Sequence, residues 1–171
     1  MNENDYLKNF RIFIGKNKPI FMKLEQVAAI IATIGILMHF GKIEQGNYIC
    51  LLGLIVLTLI YYFMAFSPVI TGNNDDENIV LSRMEKFQYE FYYFSLSITC
   101  VTMIFYIFTL PGWDYLIKTT VVMMIVTMTI SLMQYIRKRT IMMDFQYVIR
   151  IIITVVALIT LVFEEKIFTG A

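Results

Sequence analysis

Histidine, cysteine and tryptophan are almost missing from this chain, and charge is thin. Among 171 residues there are one histidine, one tryptophan, two cysteines and three prolines, and Asp, Glu, Lys and Arg make up only 16%. Each shortage excludes a kind of chemistry. With His39 as the sole histidine, a two-histidine metal site is not available, nor is a protease that needs a second histidine partner. Cys50 and Cys100 each stand alone inside an apolar run, without CxxC or metal-ligand spacing, and read as small buried residues. No HExxH, GxSxG or P-loop pattern occurs. The expectation is a chain that is not an enzyme and holds no cofactor or metal. A formal net charge of +1 gives no generally basic surface, so nucleic acid is not an expected partner.

What the chain has in excess is oil. Hydrophobic residues reach 58%, aromatics 15% and mean hydropathy +0.69, more than a soluble domain of this length carries. A bilayer core of about 30 Å needs about 20 apolar residues in a helix, whose backbone bonds close within the segment. Five runs qualify, at about 24–40, 48–66, 91–110, 115–136 and 145–163, so the expected fold is an all-α integral membrane protein, a bundle of about five transmembrane helices. It reads as one polytopic domain with an N-terminal segment at 1–23, too charged for a cleavable signal, and a longer loop at 67–90.

Short basic loops resist translocation, so orientation follows lysine and arginine. With the N-terminus cytoplasmic, Lys8, Arg11, Lys16, Lys18, Lys23, Arg83, Lys86, Arg137, Lys138, Arg139 and Arg150 lie inside. Only Lys42, Lys118 and Lys166 lie outside, and an odd number of spans sends the C-terminus out. The basic Arg137, Lys138 and Arg139 read as a topology and anionic-lipid anchor. In the longer loop, Asn73, Asn74, Asp75 and Asp76 are helix N-cap residues. They introduce an amphipathic helix from about residue 76 that lies on the cytoplasmic surface or runs straight into the third span.

The segments 36–54 and 103–121 echo one another: each leaves an apolar span through a short glycine-containing turn with an aromatic residue just beyond. GILMHFGKIEQGNYICLLGLIVLTLIYYFMAF (35–66), with PGWDYLI (111–117), resembles small polytopic membrane proteins of Bacteroidetes, and the first hairpin is similar to that of the GldL-like gliding-motility proteins. Those proteins are expected to carry an intramembrane acid in the second span, and 48–66 has none. What the resemblance implies is a setting in the bacterial inner membrane, within a membrane complex.

Three groups of residues stand out as candidate sites. Along the third span Gln88, Tyr92, Ser95, Thr99, Thr102, Tyr106 and Thr109 step by 4, 3, 4, 3, 4 and 3, which places them on one helix face. Thr120, Thr127, Ser131 and Gln134 form a matching stripe on the fourth. Lipid tails are as apolar as leucine, so hydroxyls on a face point to helix packing, with a polar path for an ion or solute as the alternative. The second group is a charge cluster at the inner ends of the spans, in which Arg150 either reaches the headgroups as an anchor or turns inward to pair with Glu90 or Glu25. The third is His39 with Glu44 at the outer end of the first span. Two functions follow: a non-enzymatic subunit or accessory protein acting through helix contacts in a larger assembly, or a homo-oligomeric channel or transporter lined by hydroxyls. The partners are membrane lipids and other membrane subunits or copies of the chain.

Overall fold

The computed structural model describes residues 9, 13–66, 83–138, 150, 152, 153, 155 and 156. These are helical apart from short turns, and no strand occurs among the described residues. The long elements are α1 (Lys18–Phe40), α2 (Gln45–Ala65), α3 (Arg83–Ile107) and α4 (Trp113–Lys138). All four are long and apolar enough to cross a membrane. Of the expected fifth span, Arg150, Ile152, Ile153, Val155 and Val156 are helical, and the rest lies outside the described residues.

Helix boundaries differ from those read off hydropathy, for local reasons. α1 begins at Lys18 rather than near residue 24, because Pro19 occupies its first turn, where a fixed φ helps and an N–H is not needed. Asn17 stitches this start to the helical stretch at 13–16: its Nδ2 donates to Phe13 O at 2.8 Å, and Ile20 N–H donates to Asn17 O at 2.9 Å. Residues 18–23 of the expected N-terminal segment are therefore helix. α3 is already helical at Arg83 and runs unbroken through the apolar segment, so this part of the expected amphipathic extension continues into the span. Residues 67–82, with the proposed caps, lie outside the described set.

α1 and α3 stop in the same way. After α1, Ile43 N–H donates to Met38 O and Lys42 N–H to His39 O, with Lys42 at φ 56°. After α3, Leu110 N–H donates to Phe105 O and Thr109 N–H to Tyr106 O, with Thr109 at φ 48°. Both are Schellman motifs, each with an apolar residue just past the left-handed position. The echo between the two segments thus extends to backbone conformation. It also corrects the stripe on α3, because Thr109 sits beyond the helix, in an exposed turn, and shares no helix face with Thr102.

The chain divides into two compact units, Met1–Trp113 and Asp114–Ala171. In the first, a turn of residues 41–44 folds α1 and α2 into an antiparallel hairpin, and α2 also packs against α3, which makes it the inner helix of the unit. Its core includes Ala28, Ala32, Cys50, Leu54, Leu57, Met64 and Leu96. Ile20, Leu24, Val27, Ile30, Ile34 and Leu37 point outward from α1, a surface suited to lipid. In the second unit Ile117 and Met124 are buried, while Val122, Ile125, Leu132 and Ile136 are exposed.

Candidate functional site

The polar side chains of the first unit sit on a scaffold of very close helix contact. Ala28, Ala32 and Gly35 on α1 step by four and three, as do Gly46, Cys50 and Gly53 on α2, and all six are buried. A side chain on Gly53 would stand 2.5 Å from Ala32 N, one on Gly46 2.6 Å from His39 N, and one on Gly35 would run into the Cys50 backbone. Small residues at this spacing let two helix backbones touch, the packing that works when no hydrophobic effect separates helix from lipid. These two small-residue stripes were legible in the sequence as a period, and hydropathy hid them because alanine, glycine and cysteine count as apolar.

At the turn end of the hairpin, half-buried His39 donates from Nδ1–H to Asn47 Oδ1 at 2.6 Å. The expected neighbour Glu44 is exposed at the N-cap of α2, where its side chain makes no capping bond. Asn47 lies eight residues on, so only the fold of the turn brings it to the histidine.

The open end of the hairpin holds a buried carboxyl. Glu25, two turns into α1 and only 6% exposed, accepts a hydrogen bond from the Tyr61 hydroxyl of α2 at 3.1 Å. The Tyr61 ring leans on buried Tyr93 of α3, with centroids 6.3 Å apart, and Tyr93 in turn packs on Tyr89 at 4.7 Å and Tyr92 at 5.0 Å. Lys18 Nζ stands 5.9 Å above the Tyr89 ring, within cation–π range. Further along the interior, Ser97 donates to Thr58 O at 3.2 Å, joining α3 to α2. The Cys100 thiol lies within hydrogen-bonding reach of the Thr58 side chain. Tyr61, Tyr93, Thr58 and Ser97 escaped the sequence reading because aromatics and hydroxyls in an apolar run carry no sign of which helix they will meet.

Of the expected charge cluster, Glu25 meets Tyr61, and Glu90 pairs with Lys86 one turn earlier on α3 at 3.9 Å, both partly exposed. Arg150 is half-buried in a helical stretch of the second unit.

The hydroxyl stripes are withdrawn from the surface, as their periodicity predicts. Tyr92, Ser95, Thr99 and Thr102 on α3 are buried, and so are Thr120, Thr127 and Ser131 on α4. Gln88 is half-buried, and the Gln134 side chain lies outside the described residues. Ser95 donates to Phe91 O, Thr99 to Ser95 O and Thr102 to Ile98 O; on α4, Thr127 donates to Met123 O and Ser131 to Thr127 O. All five bonds are 2.8–2.9 Å long. Each therefore directs its one proton at its own helix, one turn back. Thr33, Thr119 and Thr129 do the same from exposed positions, so this bond does not depend on which face a hydroxyl occupies.

Among the described residues no group of three His, Cys, Asp or Glu side chains is placed to hold a metal ion. No family model matches this chain, and no curated protein or solved structure is significantly similar to it.

Proposed function

We propose that this protein is a non-enzymatic membrane subunit or accessory protein that works through helix contacts in a larger membrane assembly. The observation that carries this reading is how its polar groups are used. Stripe hydroxyls bond back to their own helices, and Glu25, Tyr61, Ser97 and Thr58 bond between neighbouring helices. The groups that bond between helices set register and hold the helices together. The outward aliphatic face of α1 is suited to lipid or to a further apolar helix. The distribution of lysine and arginine supports an orientation with the N-terminus on the cytoplasmic side.

A second reading, a homo-oligomeric channel or transporter, is favoured by one feature. The stripe hydroxyls gather polar oxygens on one buried face of α3 and on one buried face of α4. Purifying the tagged chain in mild detergent from the membrane that makes it separates the two. Stoichiometric, unrelated membrane polypeptides in the purified material are the result expected of a subunit. A pure homo-oligomer that passes ions in liposomes overturns the subunit reading.

A further inference from the structure

We propose that α1 and α4 carry the two halves of a helix contact that the chain already makes between α2 and α3, and that a second copy of the chain completes it, with α4 of one copy against α1 of the next. The two Schellman stops give the register. Their left-handed residues, Lys42 and Thr109, are 67 positions apart, at 42 and 109. Moved along by that shift, the buried residues of α1, Glu25, Ala28, Ala32 and Gly35, become Tyr92, Ser95, Thr99 and Thr102, all buried on α3. Cys50, Gly53, Leu57, Ile60 and Met64 of α2 become Ile117, Thr120, Met124, Thr127 and Ser131, the buried residues of α4. Tyr48 and Tyr115, matched by the same shift, are each 71% exposed. Face by face, α3 repeats α1 and α4 repeats α2.

The inner helices α2 and α3 also carry a second stripe, where they meet. Ser97 donates to Thr58 O and the Tyr93 ring leans on Tyr61. On this stripe Leu54, Tyr61 and Ala65 of α2 are buried, with Thr58 half-buried, and Tyr93, Leu96, Ser97 and Cys100 of α3 are buried. The outer helices carry the same stripe uncovered. On α4 it reads Val121, Ile125, Met128 and Leu132, all exposed. On α1 it reads Gln26, Ala29, Ile30 and Thr33, exposed except for half-buried Ala29. Gln26 is a side chain better matched by another helix than by lipid tails. One chain therefore offers each half of an established interface once, and a second copy is the partner that supplies both missing halves. Because the halves differ, copies join head to tail, and association stops when a ring closes. Helices that cross a membrane in succession alternate in direction, so α4 and α1 run oppositely, as α2 and α3 do, and copies inserted the same way round can meet. Carrying the Ser97–Thr58 level across puts Ile30 of one copy opposite Ile125 of the next. This inference goes beyond the subunit reading and is compatible with either function.

Two differently tagged full-length chains, one Ile30→Cys and the other Ile125→Cys, co-expressed and oxidised with copper–phenanthroline in their own membrane, test it. Both positions are exposed, so neither change touches the core, and the native Cys50 and Cys100 are buried. A disulfide-linked dimer that carries both tags is expected. Neither variant expressed alone is expected to give a linked dimer, because like faces do not meet. Val27→Cys with Val122→Cys is the control pair: these positions match Phe94 and Ile55, which stay exposed beside the α2–α3 contact, and far less dimer is expected. Ile125→Trp overfills the contact and is expected to lower co-purification of a second, differently tagged copy by about tenfold, with the thermal midpoint unchanged. No dimer with both tags, as much dimer from the control pair, or linked dimers from either variant alone overturns the proposal. So does a link that forms only when both cysteines share one chain, or co-purification indifferent to Ile125→Trp.

Discussion

Thr109 and Lys42 hold backbone conformations that suit neither of them. Each occupies the left-handed position of a Schellman motif, at φ 48° and 56°, where an L side chain crowds the following carbonyl at a cost of about 1–2 kcal/mol. Threonine is the worse fit because it is branched at Cβ. It is exposed, so its replacement removes no packing. Thr109→Gly relieves the strain and gives back part of the gain through a more flexible unfolded chain. The net expectation is a stabilisation of about 0.5–1 kcal/mol, seen as a rise in thermal midpoint in detergent. A midpoint that falls means that the turn does not rest on this left-handed residue. Neither strained position was visible in the sequence, where GK and TL mark only the edge of an apolar run.

At the scale of the helix, the hairpin depends on how closely α1 and α2 approach. Gly53 faces the Ala32 backbone at a distance no side chain fits, and a backbone atom cannot swing aside as the tip of a side chain can. Gly53→Val therefore has to push the helices apart, losing the contacts on both sides of it, and is expected to destabilise the protein by about 1–3 kcal/mol or more. Gly41→Ala is the matched control. Gly41 has φ −72° and an added Cβ would sit 3.4 Å from its nearest neighbours, so a change within about 0.5 kcal/mol is expected. Equal thermal midpoints for the two variants would mean that the small-residue stripes are not the contact that holds the hairpin. The hydroxyls carry a second lesson at this scale. Their spacing correctly put Ser95, Thr99 and Thr102 on one buried face. It did not show that their protons turn back to their own helix, a bond available to a threonine on any face, as Thr33 and Thr129 show.

For the molecule as a whole, the sharpest expectation is orientation. Eleven of the fourteen basic residues fall on one side in a five-span arrangement with the N-terminus cytoplasmic. Reporters fused after Lys42, Asp76, Asp114, Arg139 and Ala171 are then expected to alternate outside, inside, outside, inside, outside. A reporter after Ala171 that is active in the cytoplasm removes the fifth crossing. The same experiment places Glu25 and Tyr61, which share the open end of the hairpin, on the inner side if the pattern holds.

The sequence by itself determined an all-helical chain with helices long and apolar enough to cross a membrane, because an apolar run of that length has only the helix to satisfy its backbone in lipid. It also determined where α1 to α4 end to within a few residues, though not the early starts of α1 at Lys18 and α3 at Arg83, and it put the hydroxyls of α3 on one face, since these depend on local composition and on a period of 3.6. Tertiary structure alone decided the partners. His39 meets Asn47 rather than Glu44 because of the turn between them, and Glu25 finds Tyr61, thirty-six residues away, because the glycines let α1 lie against α2 in one register. A hydropathy pattern is blind to that register, since an apolar helix in an apolar solvent has no face it must hide. Contacts of a few small residues, and a buried carboxyl bonded across the hairpin, make the choice instead.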